Sequence, residues 1–147
     1  MILNKVSGVV GKAGRALKIL VVEDSFMTAR SLARMLQDLG AEVLGPAPTV
    51  KKAMDLLDAG DCDAAVLDIN LGNETVEPVA KRLHEGGRPF IFVSGYASPK
   101  TLLTHPDYRR HRLVPKPVEP ASFRQTLAEE FAEVCGTAPE LEGPARD

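Results

Sequence analysis

Three short, unbroken runs of apolar residues constrain the fold of this chain more than any other feature. They are Ile19–Val22, Ala64–Leu67 and Phe90–Val93. A run without polar alternation is typical of a strand that is covered on both faces, as in the interior of a parallel sheet. Two shorter strands are predicted at Glu42–Leu44 and Arg112–Val114. We therefore expect a parallel sheet of about five strands.

Between these runs, apolar residues recur with the period of an α-helix. The four stripes occupy residues 26–39, 50–57, 76–83 and 123–134. The first begins at Phe26, whereas the second has Thr49 as its expected N-cap and Gly60 after its end. Residues 97–111 leave room only for a short helix around Leu102. This alternation of strands and helices predicts an α/β fold with right-handed crossovers.

The length and the two ends of the chain indicate one ordered domain. A chain of 147 residues is long enough for one hydrophobic core. Residues 1–16 show no sustained period and are predicted to be a flexible leader, and residues 136–147 a flexible tail. The ordered domain is then residues 17–135. We expect no DNA-binding or enzymatic module within the tail.

Composition excludes several classes of function. The formal net charge is −2 and the basic residues form no dense stripe, so nucleic acid is not an expected partner. The apolar runs are far shorter than the roughly 20 residues of a membrane span, and no secretory signal is recognisable. Cys62 and Cys135 have neither disulfide nor zinc-site spacing, and His84, His105 and His111 are expected to face solvent or a partner. A cytoplasmic protein is expected.

Polar residues follow the predicted strands at the points where those strands end. Glu23 and Asp24 come after the first apolar run, Asp68 after the third strand and Ser94 after the fourth. Lys116 follows the fifth strand. Ligands of open parallel sheets bind beyond the carboxyl ends of the strands, so we expect these side chains to meet at one edge.

Such a cluster has a definite chemistry. Three carboxylates repel one another unless a cation lies among them, and oxygen ligands on loops suit Mg²⁺. Asp24 and Asp68 are predicted to bind it directly, Glu23 through water or by orienting Asp24, and Asn70 through its backbone carbonyl. Aspartate is also a nucleophile that forms acyl phosphates. Asp68 is therefore the predicted phosphoryl acceptor.

In this scheme Lys116 and Ser94 neutralise the charge on the phosphoryl oxygens. The whole order of acids, hydroxyl and ammonium resembles the receiver domain of two-component response regulators over about residues 17–134. The resemblance implies that Ser94 turns toward the acyl phosphate of Asp68 and that Lys116 contacts it. It further implies a doubly wound, flavodoxin-like (βα)5 three-layer sandwich. The implied parallel sheet has the order 2-1-3-4-5, and the Lys116–Pro117 peptide is implied to be cis.

The segment PFIFVSGY, residues 89–96, is similar to a Pro-Phe-x-Phe-Ala-Thr-Gly-Tyr motif of stand-alone bacterial receivers. This sequence has Val93 for the alanine and Ser94 for the threonine. Leu113 stands where most receivers carry a switching tyrosine or phenylalanine, three residues before the lysine. Tyr96 is the candidate to replace that switch.

The resemblance implies a single-domain response regulator. It would take a phosphoryl group from a histidine kinase or a histidine phosphotransfer protein, and catalyse only its own phosphorylation and dephosphorylation. It would then act on a downstream protein target or as a phosphate sink, as a monomer or weak homodimer. One alternative is an aspartyl-phosphate phosphatase or phosphotransferase, although Asn70 stands where such enzymes have a second aspartate. Another is an interaction module that works without phosphorylation.

Overall fold

Strands and helices alternate along the chain as the sequence predicts. The computed structural model describes residues 14–95 and 103–135. In chain order the elements are β1 (Lys18–Val22), α1 (Phe26–Asp38), β2 (Glu42–Ala47), α2 (Val50–Ala59), β3 (Ala64–Asp68), β4 (Asn70–Leu71), β5 (Glu74–Thr75), α3 (Glu77–Glu85), β6 (Phe90–Ser94), a 3-10 helix (Pro106–Arg110), β7 (Leu113–Pro115) and α4 (Pro120–Glu130). All the strands and helices expected from the apolar pattern are present within a few residues of their predicted bounds.

Five of the strands form one parallel sheet in the order β2-β1-β3-β6-β7. Counted along this sheet alone, the order is the predicted 2-1-3-4-5, and the flavodoxin-like α/β fold is confirmed. The chain passes from β1 to β2 on one side and then returns to β3 on the other side. The winding direction therefore changes between β1 and β3, which is where open α/β sheets bind their ligands.

Alternate side chains of the strands enter two separate cores. On one face, Leu20 and Val22 pack with residues of α2 and α3. On the other face, Ile19 and Val21 pack with α1 and α4, including Phe123. Three layers result, because each helix buries its apolar stripe against one face of the sheet. Every residue of β3 is buried, as expected of a parallel strand covered on both faces.

One of the N-terminal caps of helices α1 and α2 was predicted from the sequence. Thr49 is the N-cap of α2 as predicted, and its hydroxyl oxygen accepts a hydrogen bond from the backbone nitrogen of Lys52 at 3.1 Å. Ser25 caps α1 in the same way. Phe26 was predicted to begin the buried apolar stripe of α1, but its side chain is 73% exposed. It is the first residue of α1 and lies beyond the end of the sheet, where the helix has no core to cover.

Two of the local features that were not predicted lie in a hairpin and at a histidine. The first is an antiparallel hairpin in which β4 pairs with β5 directly after Asp68. The second is the position of His111, which was expected to face solvent or a partner but is half-buried within the chain itself. Its ring stacks on Phe90 with centroids 3.8 Å apart, and its Nδ1 atom lies 3.1 Å from the Phe90 carbonyl oxygen.

Several predictions fall partly or wholly outside the described residues. These are most of the leader, the tail from residue 136, the short helix around Leu102 and the switch role of Tyr96. Leu17, at the start of the predicted domain, is buried. Within residues 14–95 and 103–135, no helix has the length and apolar character needed to span a bilayer.

Candidate functional site

Three carboxylates meet at the carboxyl edge of the sheet, beside the change in winding direction. Glu23 and Asp24 follow β1, and Asp68 is the last residue of β3. One carboxylate oxygen from each of the three lies within 4.8 Å of the others. Glu23 and Asp68 are buried, whereas Asp24 is exposed. The acids that the sequence placed at one edge therefore form one cluster.

Lys116, which follows β7, contacts two members of this cluster. Its Nζ atom donates a hydrogen bond to Oδ2 of Asp68 at 3.1 Å and lies 2.8 Å from Oε1 of Glu23. The second contact is an ion pair with a carboxylate oxygen that is itself buried. Burial opposes the charged ammonium, but the two carboxylates outweigh it and raise the pKa of Lys116.

The carboxyl group of Asp68 is held in an environment that disfavours its charge. Burial raises its pKa first, and the adjacent Glu23 raises it further, to about 7. Lys116 counteracts only part of this effect. The backbone N–H of Asn70 also donates to Oδ1 of Asp68 at 3.3 Å. At neutral pH the cluster thus holds more negative charge than one lysine stabilises, and a cation would favour the ionised form.

The donor set fits Mg²⁺. The ion prefers carboxylate and carbonyl oxygens and keeps several coordination positions open for water or phosphate. Glu23, Asp24 and Asp68 supply carboxylates, and the exposed side chain of Asp24 leaves one side of the cluster open to solvent.

Ser94 and Pro117 lie at the same edge. Ser94 ends β6, is buried, and pairs with Pro115 across the two strands. Its carbonyl oxygen accepts a hydrogen bond from the backbone nitrogen of Lys116 at 3.0 Å. The Lys116–Pro117 peptide is cis, as the resemblance implied. A second cis peptide, Gly45–Pro46, was not predicted.

The segments around the cluster add contacts that sequence reasoning missed. The carboxylate of Glu23 accepts a hydrogen bond from the backbone of Ser25 at 3.0 Å, and the backbone N–H of Glu23 donates to the Ala47 carbonyl at 2.9 Å. A groove of about 590 Å³ opens beside Glu23 and Asp24, between α1 and Pro46. None of these contacts has a sequence signal, because each joins segments that are distant along the chain or depends on local backbone geometry.

The β4–β5 hairpin did leave a signal in the sequence. Gly72 and Asn73 form its two-residue turn, and Gly72 has a φ of +76°. Gly-Asn between two short segments is a recognised hairpin turn, because the first position needs the positive φ that glycine adopts without strain. The flanking strands have only two residues each, too few to show the alternation of a strand.

Comparison with known proteins gives the family. The protein-family model of the response regulator receiver domain matches residues 19–128 of this chain. The chain belongs to the response regulator receiver domain family. This match contains Glu23, Asp24, Asp68 and Lys116, so the cluster described above lies within the receiver domain.

Individual relatives agree with this assignment. The phyllosphere-induced regulator PhyR of Methylorubrum extorquens is 29% identical over 136 residues, which are 86% of this chain and 50% of PhyR. The chain thus spans about half the length of this curated relative. The solution structure of SdrG from Sphingomonas melonis is 32% identical, with a TM-score of 0.67, over 77% of this chain and 94% of SdrG. The receiver domain of PhyR from Erythrobacter litoralis is 26% identical, with a TM-score of 0.68, over 80% of this chain and 91% of that domain.

Proposed function

We propose that this receiver accepts a phosphoryl group on Asp68 from a histidine kinase or a histidine phosphotransfer protein. The observation that carries the proposal is the cluster of Glu23, Asp24 and Asp68 with the Lys116 ammonium 3.1 Å from the Asp68 carboxylate. A buried carboxylate with a raised pKa is costly in a purely structural role, and such groups concentrate at functional sites.

In the proposed reaction a carboxylate oxygen of Asp68 attacks the phosphorus, and the bond from phosphorus to the donor nitrogen breaks. The histidine imidazole leaves, and an acyl phosphate forms on Asp68. Lys116 stays near the phosphoryl oxygens and balances their charge. Mg²⁺, held by the three acids and the Asn70 carbonyl, would neutralise the same oxygens. Water later hydrolyses the acyl phosphate, and we propose no catalysis on other substrates.

The output proposed for the phosphorylated receiver is a shift between two conformations. The Ser94 hydroxyl, at the end of β6, would turn toward the acyl phosphate and favour one arrangement of the following segment. A downstream protein would bind that arrangement, or the receiver would drain phosphoryl groups from its donor. The similarity to PhyR, which is named a regulator, supports a protein partner. We place this activity in the bacterial cytoplasm.

Phosphorylation by a small donor tests the proposal directly. The wild-type chain, incubated with acetyl phosphate and Mg²⁺, should gain the mass of one phosphoryl group. Asp68→Asn should not gain it. Asp63→Asn is the matched control, because Asp63 directly precedes β3 and accepts a hydrogen bond from the Lys18 backbone at the opposite end of that strand. Phosphorylation of Asp68→Asn to the wild-type level, or no phosphorylation of the wild type, would contradict the proposal.

A further inference from the structure

The hairpin after Asp68 is tied to a helix that lies outside the acid cluster. Its two strands pair Asn70 with Thr75 and Leu71 with Glu74. The Oε2 atom of Glu74 accepts a hydrogen bond from the backbone nitrogen of Val50 at 3.1 Å. Val50 is the first residue of α2, so a side chain of the hairpin binds the N-terminus of that helix.

This hydrogen bond satisfies a donor that the helix itself leaves unpaired. The first four N–H groups of an α-helix have no partner within the helix, and a carboxylate there is further favoured by the helix dipole. Thr49 caps a different donor, the backbone nitrogen of Lys52. Glu74 and Thr49 therefore accept hydrogen bonds from different N–H groups at the N-terminus of α2, and of the two only Glu74 belongs to the hairpin.

The segment before α2 also contacts the acid cluster. The backbone N–H of Glu23 donates to the carbonyl of Ala47, three residues before Val50. On the other side, the backbone N–H of Asn70 donates to Asp68. The hairpin is thus held at Asp68 by one hydrogen bond, in the core by the buried side chain of Leu71, and at the N-terminus of α2 by Glu74. Isolated hairpins of this length are unstable in water, so these attachments fix its position.

We propose that Glu74 is a positioning residue for the metal site. By holding the hairpin against α2, it fixes Asn70, whose carbonyl is a proposed Mg²⁺ ligand, and so sets the affinity of the cluster for the ion. The inference rests on the metal site of the proposed function. Residues that orient metal ligands without touching the metal commonly change its affinity when they are replaced.

Mg²⁺ titration of the full chain, followed by backbone amide signals in NMR, measures this affinity without phosphorylation. Glu74→Ala should raise the Kd for Mg²⁺ roughly tenfold. Val50→Pro removes the same hydrogen bond from the donor side and should raise it similarly, because proline is well accepted at the first position of a helix. Glu74→Gln keeps an oxygen acceptor and should restore most of the affinity.

Thr49→Ala is the control that separates positioning of the metal site by Glu74 from stabilisation of helix α2. It removes the other cap of the helix, so its urea midpoint should fall while its Kd for Mg²⁺ stays at the wild-type value. Wild-type affinity in both Glu74→Ala and Val50→Pro would overturn the inference, as would an equal loss of affinity in Thr49→Ala. A wild-type chain that does not bind Mg²⁺ would instead overturn the metal site itself, and the two failures are distinguishable.

Discussion

Replacement of Asp68 by asparagine should stabilise the metal-free protein at neutral and higher pH. The Asp68 side chain is buried, and its pKa is raised from 3.8 to about 7 by burial and by the neighbouring Glu23. Ionisation of this group therefore disfavours the folded state. Asparagine has nearly the shape of the protonated acid and cannot ionise, so it removes this cost while leaving Lys116 paired with Glu23.

The raised pKa sets the size of the effect. A group whose pKa is higher in the folded state contributes stability that is fully present below its unfolded pKa and is lost as pH rises through its folded pKa. For Asp68 this window runs from 3.8 to about 7. At about 1.36 kcal/mol per pH unit, Asp68→Asn should be more stable than the wild type by roughly 2 kcal/mol near pH 5 and roughly 4 kcal/mol near pH 8.

Urea unfolding followed by far-ultraviolet circular dichroism, with a chelator present, measures this difference in a chain that has no tryptophan. Asp55→Asn is the control, because the Asp55 side chain is 57% exposed and should give the same small change at both pH values. Addition of Mg²⁺ should stabilise the wild type more than Asp68→Asn. A difference between Asp68→Asn and wild type that does not widen from pH 5 to pH 8 would refute the reasoning.

Two further predictions concern the surroundings of the site and the opposite end of the sheet. Gly45→Ala should lower the free energy of unfolding by at least about 1–3 kcal/mol, because Gly45 has a φ of +100° and an added Cβ would lie 2.8 Å from the Ala47 nitrogen. A urea midpoint equal to that of the wild type would contradict this. Burial lowers the pKa of His111 below 6.5, so the wild type should lose stability as pH falls from about 6.5 toward that lower value. His111→Phe keeps an aromatic ring against Phe90 and should reduce this loss of stability. Urea unfolding between about pH 7 and pH 5 measures the difference. A pH dependence equal to that of the wild type would show that another group causes the loss.

The parts of the fold that the sequence predicts are those in which burial dictates residue type at every position. Strand β3 is the clearest case, since both of its faces are covered and each of its residues must be compatible with a core. The acid cluster is predictable for a related reason. Glu23, Asp68 and Lys116 each follow an apolar run, and parallel strands bring their carboxyl ends to the same edge.

The features that could not be predicted depend on where elements end and on contacts between distant segments. The helical period that includes Phe26 does not reveal that the sheet stops before that residue. The hydrogen bond from Val50 to Glu74 joins positions 24 residues apart and leaves no periodic trace. His111 was expected to face solvent or a partner because a single histidine has no pattern, and only the folded sheet brings its ring against Phe90.

The double contact of Lys116 has a consequence for the alignment of the last strand. Strand β7 has only three residues, and hydrogen bonding alone specifies so short an edge strand weakly. A slip by one residue would move Lys116 away from Glu23 and Asp68 and would turn the buried side chain of Val114 away from the core. With Lys116 displaced, the buried Asp68 carboxyl would stay protonated, so the ion pairs of Lys116 add to the burial of Val114 in favouring the observed register.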